Sequence, residues 1–134
     1  MKIASVAFLL CLCASAEAVQ WEYVAATGGS NVYVDVASIK ADPGKSRSAS
    51  FLFDHLDARY DIDSARVFKS SIHLIMVDCA AQRLNWSRME KYAGPLATGT
   101  RVSARNVDNQ AANALETIPD NARTSMLETV CSEN

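Results

Sequence analysis

The sequence has few residues of the kinds that carry catalysis or metal binding. Of its 134 residues only two are histidine, and neither His55 nor His73 stands in a metal-binding or triad motif. No G-x-S-x-G, H-E-x-x-H or phosphate-binding loop occurs, and the cysteines lack zinc-ligand spacing. We therefore expect no enzyme, no cofactor, no catalytic residue and no metal site.

Charge and hydropathy argue against two classes of partner. The net charge is −2 and no basic block stands out, so nucleic acid and anionic membrane surfaces are poor candidates. Beyond the N-terminus, no run approaches the roughly 18 apolar residues of a membrane span. With 49% apolar and 21% charged residues, a chain of this length is typical of one folded domain.

The N-terminus has the pattern of a secretory signal peptide. Met1-Lys2 is charged, an apolar stretch follows, and Ala16-Glu17-Ala18 supplies a small-x-small cleavage site. A second such triplet two residues earlier is an alternative cut, and a buried N-terminal helix is the structural alternative. The expected organisation is a signal peptide at 1–18 and a single domain at 19–134. The mature protein would lie in the periplasm, on the cell surface or in the medium.

Removal of this leader would leave two cysteines. Cys11 and Cys13 lie inside the leader, and each follows a leucine rather than the small residue that lipid attachment requires. Cys79 and Cys131 remain, an even number in an exported chain, which favours a disulfide between them. Free thiols and a metal pair are the alternatives.

Alternating apolar residues predict a mostly antiparallel sheet. Strand patterns lie at residues 21–24, 32–36, 49–56, 67–79, 81–92 and 98–107. The pattern at 81–92 also fits a helix, but a strand would pair with its predecessor. The acidic stretch at 54–63 lacks the order of a calcium loop, so we expect a solvated connection there.

The central strand is apolar on both faces, so both should be covered. One face carries Phe68, Ile72, Leu74 and Met76, and the other carries Val67, His73, Ile75, Val77 and Cys79.

The last segment predicts a helix that begins at Asp120 or Asn121. On one side of this helix apolar residues recur every four positions, and a neighbouring row of residues ends at Cys131. A bond between Cys131 and Cys79 would place the helix on the face of the sheet that carries Cys79. The other face then remains as a partner surface made of Phe68, Ile72, Leu74 and Met76. A second copy of the chain is the simplest partner. The alternative is that residues 108–117, helix or loop, fold over that face.

Several short motifs, in order, resemble the bacterial surface-adhesin protein E family. They are Trp21, Val32-Tyr33-Val34-Asp35 with Ser38-Ile39, Ser71 with Asp78-Cys79, Tyr92-Ala93-Gly94, Ile118-Pro119 and Val130-Cys131. The resemblance implies an α+β domain, an antiparallel sheet with a C-terminal helix held on one face by a Cys–Cys bond. It also implies adhesion to host components, and we therefore expect an exported, non-enzymatic binding module that acts through a face of its sheet. Because no lipid-attachment cysteine is present, a periplasmic accessory protein associating with itself or an envelope partner is the alternative.

The leader gives a direct prediction. The exported protein should begin at Val19 and carry no lipid, because the cleavage site precedes that residue and the leader cysteines lack a lipidation context. Intact-mass measurement with N-terminal sequencing checks this. A chain that keeps Met1, or a lipid mass on a cysteine, would contradict it.

Overall fold

A computed structural model describes residues 18–41, 46–107 and 118–132. It contains six strands, a short 3₁₀ turn and one helix: β1 (Trp21–Ala26), β2 (Ser30–Ala41), β3 (Ser46–Asp61), β4 (Arg66–Asp78), β5 (Arg83–Tyr92), the turn Pro95–Ala97, β6 (Arg101–Asn106) and α1 (Asp120–Ser132). Most of the predicted leader, residues 42–45, the stretch at 108–117 and the last two residues lie outside the described residues.

The strands form one antiparallel sheet in the order β1-β2-β3-β4-β5-β6, so each strand pairs with its neighbour in sequence. This confirms the predicted α+β class and the preference for a strand within residues 81–92, where β5 forms. The first connection is a tight turn in which Thr27 Oγ1 accepts the backbone N–H of Ser30 at 3.0 Å. Such local side-chain bonds favour turns over continued strands.

The acidic stretch is not a loop, contrary to expectation. β3 continues to Asp61, and only residues 62–65 form the turn before β4. The pairing of β3 with β4 shifts between Asp54 and Arg59, as in a bulge. Asp61 is 2% exposed, and its carboxylate pairs with the ammonium of Lys91 and accepts from the Ser64 hydroxyl. Asp61 is therefore buried in an ion pair with a residue that is distant in sequence, although the surrounding sequence predicts a solvated side chain.

The core lies between α1 and one face of the sheet, here called the inner face. The helix contributes Ala122, Met126, Leu127 and Val130, and the sheet contributes Val34, Phe51, Ile75, Val77 and other buried side chains. The four-residue repeat of the helix thus packs as predicted. A 13-residue helix is only about 20 Å long, whereas a 13-residue strand such as β4 spans about 43 Å. The helix is therefore too short to cover the whole inner face.

A disulfide joins Cys79, just after β4, to Cys131 in the last turn of α1, with Cα atoms 5.8 Å apart. Arg47 adds a second link, because its guanidinium donates to the backbone carbonyl of Val130 at 2.9 Å. The predicted pairing is confirmed. Both links hold the C-terminal end of the helix.

Removing the disulfide should destabilise the domain strongly. The bond spans 52 residues of sequence, and a loop of that size corresponds to about 4 kcal/mol of free energy of unfolding in the loop-entropy model. A Cys79→Ser/Cys131→Ser double variant, measured by urea unfolding, should lose about that amount, and reduced wild type is the matched control. Equal stability of the double variant and wild type, or free labelling of both thiols in the native protein, would contradict the clamp.

Candidate functional site

The face opposite the helix, here called the outer face, carries a row of aromatic and aliphatic side chains. Cross-strand pairing aligns Tyr23, Tyr33, Leu52 and Ile72 in one row across β1 to β4. Leu52 is fully buried, Ile72 is half-buried, and Tyr23 is 61% exposed. The predicted surface residues Leu74 and Met76 are also half-buried on this face.

Phe68 does not belong to this face, contrary to the strict alternation assumed from the sequence. Its ring lies edge-on to His55 at 5.5 Å between centroids, and the Lys91 ammonium lies 4.8 Å from its ring centroid. Phe68 is thus buried on the inner side. The cause is the register shift opposite Lys69, which interrupts the two-residue period and turns Phe68 to the side of Ser71.

A short segment crosses one end of the outer face. The Ser70 hydroxyl donates to the carbonyl of Gly94 at 2.6 Å and accepts the backbone N–H of Ala97 at 2.9 Å. A Cβ at Gly94 would lie 2.8 Å from the backbone carbonyl of Thr98, so no larger residue fits there. This explains physically why glycine ends the Tyr92-Ala93-Gly94 motif.

The β3–β4 hairpin carries an exposed apolar cluster that the sequence interpretation missed. Leu56, Tyr60, Ile62 and Val67, here called the hairpin tip, are 55–84% exposed. Tyr60 and Val67 pair across the strands. The missed signal was the alternation of Leu56, Tyr60 and Ile62 with aspartates, which was interpreted as a loop.

A cavity of about 250 Å³ lies on the inner face, in the region that α1 does not cover. Ile118 and Pro119, which precede the helix, form one wall. The other lining residues come from the turn after β1 and from strands β2 to β5: Thr27, Ser30, Phe53, His55, Arg59, Phe68, Ser71, His73, Trp86, Met89 and Lys91. Both histidines of the chain therefore meet in one place, although they are 18 positions apart in sequence.

A chain of hydrogen bonds connects these histidines. Ser30 Oγ lies 2.7 Å from His55 Nδ1, and His55 Nε2 lies 3.3 Å from Ser71 Oγ. Ser71 Oγ in turn lies 2.8 Å from His73 Nε2. At the outer end, Arg59 Nη2 donates to Ser30 Oγ at 3.3 Å. His73 is thus hydrogen-bonded in the interior, as its place in an apolar strand predicts.

Burial keeps both imidazoles neutral. Desolvation lowers the pKa of His73 to about 3, and it lowers the pKa of His55 to about 4 together with the nearby charge of Arg59. A hydrogen bond from Lys91 is the main cause that lowers the pKa of Asp61 to about 2. Lys91 and Asp61 thus neutralise each other beside two uncharged histidines.

This arrangement is a poor catalytic site. Ser71 and His73 resemble a nucleophile and its base, but no carboxylate of the described chain orients His73, whose Nδ1 has no partner there. A base whose pKa is about 3 also accepts a proton weakly at neutral pH. No group of three or more potential metal ligands occurs among the residues that the structure describes.

The fold defines a class of small disulfide-clamped domains, with one helix packed on an open antiparallel meander. Within that class the chain belongs to the surface-adhesin protein E family, whose model matches residues 21–132. Two solved structures of Haemophilus influenzae protein E are similar to it at 16% identity. One has a TM-score of 0.55 and the match covers 82% of this chain and 91% of that chain, and the other has a TM-score of 0.54 with 81% and 91% covered.

No curated protein matches the chain. In the described ranges, no helix combines the length and apolar character that crossing a membrane requires. Family membership confirms the resemblance inferred from the sequence motifs, and the structural likeness confirms the fold.

The two buried histidines should make stability depend on pH. Because both folded-state pKa values lie below 6.5, the unfolded chain takes up protons first as pH falls, and the free energy of unfolding decreases below about pH 6.5. Between pH 7 and pH 5 we expect a loss of about 2 kcal/mol per histidine. Urea unfolding at both pH values checks this.

The control for this measurement is His55→Gln, which should remove about half of the dependence. The chain has only two histidines, so the remaining histidine contribution belongs to His73. Equal stability of wild type at both pH values would contradict the neutral buried pair.

Proposed function

We propose that the protein is an exported, non-enzymatic binding module that holds a protein partner on the outer face of its sheet. The observation that carries this proposal is the row of aromatic and aliphatic side chains on the side of the sheet away from α1. Membership of a surface-adhesin family supports a binding role, with a host or envelope component as the partner. The poor catalytic geometry of the inner cavity supports the absence of an enzymatic role.

The composition of the outer face supports a protein as partner. Tyr23 and Tyr33 contact each other edge to face, with centroids 5.8 Å apart, and lie beside the aliphatic residues of β3 and β4. Tyrosines with one polar end are frequent at protein interfaces. The apolar row thus supplies the desolvated centre that binding energy requires.

The other side of this face is charged and supplies a polar rim. Glu90, on β5, pairs with Arg88 at 3.1 Å and with Arg101 at 3.4 Å. The Tyr92 hydroxyl donates to the same carboxylate at 2.9 Å, which helps to hold the pKa of Glu90 below its usual range. A rim of this kind contributes to orientation and specificity more than to affinity.

Leu74→Glu tests the proposal. Leu74 lies opposite Arg88, which can pair with the new carboxylate, so the fold should survive while the apolar centre gains a charge. Binding of the purified protein to host cells, or its self-association in light scattering, should weaken at least about tenfold. Circular dichroism checks that the variant is folded.

Tyr60→Glu is the matched control, because it places the same charge on the exposed hairpin tip. It should leave binding unchanged. Loss of binding in Tyr60→Glu but not in Leu74→Glu would move the contact surface to the hairpin tip. A folded Leu74→Glu variant with wild-type adhesion and association would contradict the outer-face proposal.

A further inference from the structure

The inner cavity has a polar wall with a defined proton arrangement. Arg59 always donates, so Ser30 Oγ accepts from it. The buried Ser30 hydroxyl finds its acceptor in His55 Nδ1, since no other acceptor for it occurs in the described parts of the chain. His55 then carries its proton on Nε2 and donates to Ser71.

The same logic assigns the proton of His73. Ser71 accepts from His55 and donates to His73 Nε2, which leaves the His73 proton on Nδ1. That Nδ1–H has no acceptor among the described residues. The Trp86 Nε1–H likewise has no acceptor among the described residues, and the centroids of the His73 and Trp86 rings lie 4.9 Å apart. Two side chains that line one cavity thus each carry a buried donor without an acceptor.

The charged residues that line the cavity leave one positive charge in excess. Lys91 pairs with Asp61, so these two groups contribute no net charge to the cavity. Arg59 lines the cavity and donates to Ser30, and within the described chain no carboxylate lies within ion-pair distance of it. Gly29 leaves it room, because a Cβ there would lie 3.2 Å from Arg59 Nη2. One exposed positive charge without a carboxylate partner therefore lies at the outer end of the polar wall.

The remaining walls are apolar. Phe53, Phe68, Met89, Ile118 and Pro119 contribute ring and aliphatic surface. The volume of about 250 Å³ corresponds to the space of about eight water molecules, or of one aromatic ring with a short chain. A concave, mostly apolar site with a few polar groups at one side is the usual form of a small-molecule site.

We propose that the inner cavity binds a small organic monocarboxylate with an aromatic or branched apolar body. The apolar body packs against the ring and aliphatic walls, and the carboxylate accepts from Arg59. One uncompensated cation matches a carboxylate better than a doubly charged phosphate. An amine is disfavoured because it would add a positive charge near Arg59 and Lys91. This site is separate from the outer face and does not depend on its role.

Isothermal titration calorimetry of the wild-type protein with phenylpropanoate tests the proposal. A ligand of this size should bind with a Kd between about 10 µM and 1 mM. Phenylpropanamide and phenylpropylamine have the same ring and chain without the negative charge, and each should bind at least about tenfold more weakly. Absence of saturable binding of the acid up to about 10 mM, or equal binding of acid and amide, overturns the proposal.

Variants locate the site. Arg59→Gln should weaken phenylpropanoate binding about tenfold. Arg83→Gln is the matched control, since it removes one cation from the far end of β5. Wild-type affinity in folded Arg59→Gln, or an equal loss in Arg83→Gln, contradicts the assignment. If Arg59→Gln does not fold, the comparison of acid and amide in wild type still decides.

Discussion

The constraint on which this structure depends is the mismatch between a central strand with apolar residues on both faces and a helix that covers only part of one face. The disulfide between Cys79 and Cys131 fixes which part is covered, because it holds the last turn of α1 at the end of β4. The rest of the inner face becomes the cavity, and the outer face keeps its aromatic row without the helix. Both candidate surfaces therefore follow from one packing limit.

Most of the fold could be predicted from the sequence. The period of two predicted the strands, and the period near four predicted the buried side of α1. The even number of cysteines outside the predicted leader predicted the disulfide. The prediction was wrong where a long-range contact overrides a local pattern. Asp61 was interpreted as solvated because it stands among aspartates, yet Lys91 on β5 buries it. Phe68 was assigned to the outer face because a bulge cannot be recognised from alternation alone.

The candidate sites were less predictable than the fold. Ile72, Leu74 and Met76 lie on the outer face as their spacing indicates, because parity along a regular strand is a local property. The inner cavity could not be predicted, since it depends on strand registers that bring His55 and His73 together through Ser71. From the sequence alone, only the buried, hydrogen-bonded state of the His73 side chain was predicted correctly. The missing acceptors of Trp86 and His73 are visible only in three dimensions.

The two edge strands of the sheet limit how a partner could bind to it. The edge strands β1 and β6 have only six residues each; β1 contains a register shift after Tyr23, and β6 carries exposed arginines at Arg101 and Arg105. Short, irregular or charged edges oppose the addition of a foreign strand. The recognition proposed above thus depends on side chains rather than on backbone hydrogen bonds, which almost any extended peptide can make. In that role the shape and chemistry of the side chains discriminate among partners, and a single substitution can change which partner is bound.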